Sequence, residues 1–493
     1  MIATPVLKGY QGLTSKPGQR LVNQTTRIRL EFYPQDKNQF FSSRPINKRT
    51  VYWGPDSEAM LIAFVWNNQI GQASGKWSAT IKLNQNSTLD LENGDVCDGD
   101  WVRCTVQRNG VDFKIFLGVV DIVRQSKYSS GGATVKTWTI SGRDHGAPFE
   151  VPIAWASLYV QTVGQLIEGL YTRSVKGEVG GSPDKMFKLL IDAAFNRGAA
   201  GTKNKSSWAL PPALEAELGK EIFRDALNVI TNHTEGAYFN EIQLWTQAGQ
   251  SLWDTLGTWC NPLLNEFWLD FANVNPSQNQ IEAVIRERPF INTVDGHNSP
   301  WFSLNSFKVP SWIIEDDDLG RGGLERFNLF EVTADFAFGN MQEQTALASP
   351  LIDEEGIVKH GIRAYQQSTK FISPGNVGQG AWPDEVNIWM RKLVDWYGPN
   401  PHWKNGQIRT GVVFPEIKIG NIFTLDTGNE QTNEHYYIEG TGINWRYSAN
   451  GSRSQSSFVL TRGYRGNKRD GLKLVKSVSD RFKEAFSPPF SNV

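Results

Sequence analysis

The run "DWVRCTVQRNGVDFKIFLGVVDIV" (100–123) decides how this chain is read. Two apolar stretches flank Asn109-Gly110, a dipeptide that accepts the positive φ angles of a type I′ turn, so the segment predicts an antiparallel hairpin. The surroundings extend the pattern. "KWSATIKLN" (76–84) sets Trp77, Ala79, Ile81 and Leu83 on one face, and "TTRIRLEFY" (25–33) alternates in the same way. "ATVKTWTIS" (133–141) alternates again after the turn Ser129-Ser130-Gly131-Gly132. Short strands separated by turn signals point to a barrel or sandwich in residues 1–150.

After Pro148 the period changes. "QTVGQLIEGLY" (161–171), "DKMFKLLIDAAF" (184–195) and "PPALEAELGKEIFRDALNVI" (211–230) carry apolar residues at helical spacing, so 151–248 is expected to be mostly helical. "SLWDTLGTWCNPLL" (251–264) opens on the cap pair Ser251 and Asp254, and Asn261-Pro262 should stop its helix near Cys260. "NEFWLDF" (265–271) and "QIEAVIRERPF" (280–290) read as a hairpin, which makes 249–319 a small α+β segment. Strands return over 320–466, interrupted by the helix "PDEVNIWMRKLVDWY" (383–397), whose stripe is Val386, Trp389, Leu393 and Trp396. Residues 467–493 form a basic tail. Eight basic and two acidic residues lie between Arg462 and Lys483, a solvated end or an arm for an acidic partner. The expected fold is therefore α+β and β-rich.

The two strand-rich regions end alike. Gly99-Asp100 opens a strand, "FLGVVDIV" follows, then a Ser/Gly turn, then "TWTISGRD". Gly420-Asn421 opens a strand, "YIEGTGINW" follows, then "SANGSRS", then "SFVLTRGYR". The same 43 positions separate Gly99 from Gly142 and Gly420 from Gly463. Trp138 and Ile140 match Phe458 and Leu460 only after a slip of one residue, and such a slip would turn every side chain to the other face. A duplicated β-domain with other material between its copies accounts for the echo.

Bulk properties narrow the function. With 493 residues, 39% of them hydrophobic and 20% charged, the chain can bury a sizeable core. Its net charge of −1 carries no global signature of a nucleic-acid binder. The 18 Trp imply either a Trp-rich core or much contact surface. Three cysteines without a tight pair suit neither a disulfide framework nor a zinc site. No apolar run approaches the ~20 residues of a membrane span, and "MIATPVLKGYQGLTSK" lacks the apolar core of a signal peptide. A soluble protein made in a reducing compartment is expected.

Motifs for chemistry are sparse. The six histidines (145, 233, 297, 360, 402, 435) include no H-E-x-x-H and no pair at helix spacing. There is no P-loop, and "GNVGQG" (375–380) lacks the lysine of a phosphate cradle. There is no G-x-S-x-G, and Ser182 with Lys185 form only a bare S-x-x-K. "IIEDDDLGRGG" (313–323) reads as a solvated acidic loop without the ligand spacing of a calcium site. "TISGRDHGAPFE" (139–150) sets Arg143, Asp144 and His145 side by side. Adjacent residues of an extended chain point to opposite faces, so Asp144 should not orient His145. Gly142, Arg143 and Asp144 are expected to tie down a strand end, with Pro148 redirecting the chain. No catalytic residue, cofactor or metal ligand is assigned.

In order along the chain, "KWSATIKL", "DWVRCTV", "IFLGVVDIV", "TISGRD", "SLWDTLGTWCNPLLNEFWLDF", "AVIRERPF", "GLERFNLFEV", "IKIGNIFTL", "YYIEGTGINWRY" and "SFVLTRGYR" resemble the baseplate hub proteins of contractile-tailed phages, over most of 60–466. The resemblance implies a homotrimer in the tail baseplate of a virion, synthesised in the host cytoplasm. It implies two tail-tube-like antiparallel β-barrels per chain, at 1–150 and 320–466, joined by inserted domains. Three chains would then present six barrels to a hexameric tube above a trimeric spike. The implied partners are the central spike protein, the tail tube or tube-initiator protein, the tape-measure protein and the baseplate wedge proteins, with DNA only in transit. Residues 1–60 and 466–493 match nothing in that pattern, and no fused lysozyme domain is evident. A cell-wall-degrading tail hydrolase and a Trp-rich carbohydrate-binding virion protein are the alternatives.

Overall fold

The computed structural model of the chain describes residues 26–35, 47–54, 57–83, 87–130, 133–150, 211–218, 251–259, 263–275, 278–290, 301, 304–320, 326–334, 349–369, 382–398, 404–448, 451–467 and 480–485. The helices expected over 161–171 and 184–195, most of the one over 211–230, the loop 375–380 and the Ser182/Lys185 pair lie outside them.

The fold is β-rich α+β. Seven strands close a ring: β1 (Thr26–Tyr33), β2 (Arg49–Tyr52), β3 (Met60–Gln69), β4 (Lys76–Lys82), β5 (Trp101–Arg108), β6 (Val111–Ser130) and β7 (Ala133–Arg143). Their order is β3-β2-β1-β5-β6-β7-β4, and β4 returns to β3. Neighbours are antiparallel except β2 and β3, which meet in parallel at the single pair Tyr52 and Met60, so the ring is not wholly antiparallel as expected. The β5–β6 hairpin turns at Asn109 and Gly110, with φ of 50° and 80°, and the pair Arg108–Val111 flanks it. Inside, the alternating residues meet: Phe64, Trp66 and Trp77 stack around Phe116 at centroid distances of 6.4, 6.1 and 6.0 Å. Strand β3 escapes a periodicity reading. "MLIAFVW" is apolar on both faces, and a bulge between Leu61 and Ala63 breaks its alternation.

The chain leaves the ring through the short helix α1 (Ala147–Glu150). The turn precedes Pro148, which sits inside α1 where a missing N–H costs nothing; the redirection expected at Pro148 therefore happens at Asp144–Gly146. Helix α2 (Pro212–Leu218) docks on the ring. Its Glu217 accepts from Tyr33 Oη at 2.9 Å and from Lys48 Nζ at 2.6 Å, and pairs with Arg103 at 2.9 Å. Helix α3 (Leu252–Trp259) carries the capping box that its sequence predicts, while the stop expected at Asn261-Pro262 lies outside the described residues. The Asp254 amide donates to Ser251 Oγ at 3.0 Å, while the Ser251 hydroxyl donates to the Asp254 carboxylate at 2.6 Å. Strands β8 (Asn265–Asn275) and β9 (Gln278–Glu287) form the expected hairpin.

A second curved sheet follows. Strand β10 (Ser306–Pro310) passes through a 3-10 turn (Ser311–Ile313) into β11 (Ile314–Gly320). A small four-stranded sheet then forms from β12 (Leu329–Ala334), β13 (Leu351–Ile352), β14 (Ala364–Thr369) and the chain's distal β19 (Lys483–Glu484), in the order β14-β12-β13-β19. Helix α4 (Glu354–His360) lies between β13 and β14, and α5 (Trp382–Tyr397) buries Val386, Trp389, Leu393 and Trp396 as expected. Strands β15 (Asn405–Thr410), β16 (Ile422–Asp426), β17 (Glu434–Ser448) and β18 (Gly451–Arg465) complete the second sheet, ordered β10-β16-β17-β18-β15-β11. Because β10 and β11 are one bent strand, its halves flank the two ends of this sheet. The β10–β16 pairing is parallel.

Two expectations change here. "IEDDDLG" is strand β11, not a loop: its backbone pairs with β15 while Glu315–Asp318 remain exposed. The basic C-terminal stretch is not solvated throughout. Phe482 is buried, Arg481 bonds the buried Asp353, and β19 pairs with β13.

The ring and the second sheet are joined edge to edge. Strand β17 pairs with β3 from Gly440–Gln69 to Arg446–Ala63, and all thirteen strands become one sheet. The distal half of β17 drops Ile443 and Trp445 into the first core, while its proximal half gives Tyr436 and Ile438 to the second.

Candidate functional site

The strand end singled out from sequence is a dense polar knot. Asp144 is fully buried, and its Oδ1 accepts from the amides of Gly75 at 2.9 Å and Gly146 at 3.2 Å. Its Oδ2 accepts from Trp66 Nε1 at 3.2 Å. Three donors thus satisfy a fully buried carboxylate. Arg143 forks onto Asp121 at 2.9 and 2.8 Å and reaches Glu150 at 2.8 Å. The Asp121 hydrogen bonds hold its guanidinium above the usual arginine range, and those to Glu150 add to this. Glu150 in turn accepts from Ser74 Oγ at 2.5 Å. Gly142 is required by close approach: a Cβ there would lie 1.9 Å from the Val119 carbonyl oxygen.

His145 stands apart. Its Nδ1 is 4.0 Å from Asp144 Oδ2, beyond hydrogen-bond reach, and both ring nitrogens are buried without a hydrogen-bond partner among the described residues. Asp144 therefore does not orient it, and the two form no catalytic dyad. Among the described residues no group of three or more His, Cys, Asp or Glu is placed to hold a metal ion. No helix among them is long and apolar enough to cross a membrane.

The echo in the sequence is an echo in hydrogen bonds. Gly99 and Gly420 both hold positive φ, 83° and 76°. The Gly99 amide donates to Val120 O at 2.8 Å, and the Val120 amide donates back to Asp100 O at 2.8 Å. The Gly420 amide donates to Ile438 O at 2.8 Å, and the Ile438 amide to Asn421 O at 3.0 Å. Gly463 repeats the close approach of Gly142, with a Cβ 1.8 Å from the His435 carbonyl oxygen. The strand register does not keep the match to Gly463: Val120 pairs with Gly142 whereas Ile438 pairs with Leu460, and Ile140, opposite Val123, has its counterpart in Phe458, opposite Thr441. Arg462, with φ of 40°, is a bulged residue just before Gly463. Trp138, Ile140, Phe458 and Leu460 all face their cores.

Sequence reasoning missed the residues that join the two halves. Arg108, on β5, has a fully buried guanidinium. It donates to Val413 O at 3.0 Å and to Glu416 Oε2 at 3.1 Å, between the rings of Phe113 and Phe414. Burial pushes the Glu416 carboxyl above its usual range, and Arg108 opposes that. Trp445 Nε1 donates to Thr26 O at 3.1 Å. Across the join runs a groove of about 830 Å³, lined mainly by Asn, Gln, Ser and Thr of β3, β17, β18 and β15. Its aromatic side chain, Trp66, is buried.

No family model matches the chain, and no curated protein matches it. Among solved structures it is similar to a tail protein from Neisseria meningitidis MC58, at 12% identity and a TM-score of 0.46, covering 88% of this chain and 96% of that one. It is similar to the prophage tail protein gp18 from Listeria monocytogenes EGD-e, at 10% identity and a TM-score of 0.38, covering 92% and 99%. It is also similar to the E. coli c3393 protein, a component of the type VI secretion system described as structurally similar to the T4 bacteriophage tail proteins gp27 and gp5. That match has 7% identity and a TM-score of 0.38, covering 84% and 78%.

Proposed function

We propose that the chain is a structural, non-enzymatic hub of a phage tail baseplate. In this reading it is a homotrimer whose paired β-units adapt a sixfold tail tube to a threefold spike and surround the delivery channel. The repeated glycine corner carries the reading. Gly99 and Gly420 open the same two-bond arrangement in the two halves of one chain, and twice three is the arithmetic a threefold object needs to face a sixfold one. The order of segments resembling hub proteins supports it. The partners that follow are the spike, the tube or its initiator, the tape-measure protein and the wedge proteins, with DNA only passing through. The groove gives the alternatives little support. Glycoside cleavage needs paired carboxylates, and Glu150, the carboxylate among the groove's described lining residues, is already held by Arg143 and Ser74. Sugar recognition by Trp needs an exposed ring, and Trp66 is covered.

Two measurements test the reading. Mass in solution should be that of a trimer, and a symmetry-resolved image of the particle should place six similar β-units around one axis. A monomer that stays monomeric with its tail partners present sinks the hub. Incubation with peptidoglycan should give no product; turnover abolished by one carboxylate substitution would replace the structural reading with the hydrolase.

A further inference from the structure

Among the described residues, two of the strand edges of the continuous sheet carry opposite charge. The first is β11, the outermost strand next to β15, with no neighbour on its other side among the described residues. Its exposed run is Glu315, Asp316, Asp317 and Asp318. Glu315 meets Arg453 at 2.8 Å and Asp316 meets Arg409 at 3.3 Å, both at the surface. Asp317 and Asp318 make no ion pair among the described residues. A seven-residue edge without proline would template pairing with another strand, and its acids select what that strand can be.

The second edge lies beyond the other half of the sheet. The β5 ladder on β6 ends at Val119, while β6 continues to Ser130. From Ile122 onward, β6 therefore pairs with β7 alone among the described residues. This projecting arm exposes Arg124 and Lys127 on β6 and Lys136 on β7. Glu92 is the acid beside it, bound to Lys136 at 3.1 Å. Ile122, half exposed, sits at its root.

We infer that the acidic edge of β11 in one copy of this chain pairs with the basic arm of β6 in the next. Main-chain hydrogen bonds supply the ladder, and the opposite charges fix the partner and disfavour β11–β11 and β6–β6 pairing. The contact is head-to-tail, so it closes a ring when the rotation between copies permits. The inference rests on the proposed trimer and names the surfaces that make it.

The test is charge reversal read by sedimentation across a concentration series, with near-ultraviolet circular dichroism to verify folding. Asp317→Lys with Asp318→Lys, and separately Arg124→Glu with Lys127→Glu, should each weaken self-association by at least about tenfold. A chain carrying all four substitutions should recover most of the loss, because the charges are exchanged rather than removed. Raised salt should weaken wild-type association. A wild-type trimer indifferent to both reversals, or a fourfold variant no better than the weaker parent, overturns these surfaces and leaves the trimer standing. A wild-type chain that is monomeric throughout, its tail partners included, overturns the trimer itself.

Discussion

At the scale of single residues, the strand-end knot is legible in type and hidden in purpose. Asp144 and His145 stand together in the sequence like a dyad, but both lie in the turn beyond β7, where the imidazole stays 4.0 Å from the carboxylate, outside hydrogen-bond reach. Only the fold shows that the carboxylate's donors come from Gly75, Gly146 and Trp66. Asp144→Asn places an amide donor against these donors and should cost about 1–3 kcal/mol of stability, read as a lower unfolding temperature, with no reaction lost. Tyr464 gives a pH prediction. Burial raises its hydroxyl from 10.0 to about 12. The folded state therefore holds this proton where the unfolded chain releases it. Its contribution is fully present below the unfolded value and is lost as pH rises through the folded one. Unfolding midpoints in denaturant should fall as pH rises from 10.0 toward about 12, by on the order of 2–3 kcal/mol for this group. Tyr464→Phe should flatten that slope.

At the scale of elements, the sequence discloses strands that alternate and conceals those that do not. β4 is legible because one face is buried and the other is not, and the β5–β6 hairpin, largely buried on both faces, is legible from the Asn109-Gly110 turn between its apolar runs. β3 is not, since its bulge and doubly apolar run remove the period, and β3 is the strand that meets β17. Arg108 looks like an ordinary polar strand position until the fold brings Glu416 beside it, 308 residues away. Arg108→Met leaves that carboxylate buried alone and should destabilise by about 3–5 kcal/mol, whereas Arg108→Met with Glu416→Leu should restore most of it. The single variant's deficit should shrink as pH falls. Glu416 titrates above its ordinary value when folded, so protonation relieves it, and stability from this group is lost as pH rises through that raised value. In helix α5, Trp389→Ala removes a fully buried ring and should cost about 3–5 kcal/mol in equilibrium unfolding.

At the scale of the whole molecule, the repeat was legible as an order of segments, but its register was not: Gly142 faces the corner residue Val120, while Ile438 faces Leu460 rather than Gly463. How the halves meet was not legible, because strand pairing between residues hundreds of positions apart leaves no local mark. The β3–β17 ladder has a mechanical meaning. Seven consecutive residue pairs, Gly440–Gln69 to Arg446–Ala63, cross-link the halves through backbone, in addition to the side chains of Arg108 and Trp445. To separate or swivel them, several rungs must shear together, so the joint offers no hinge. A push or a twist delivered to one half is carried into the other as through a girder.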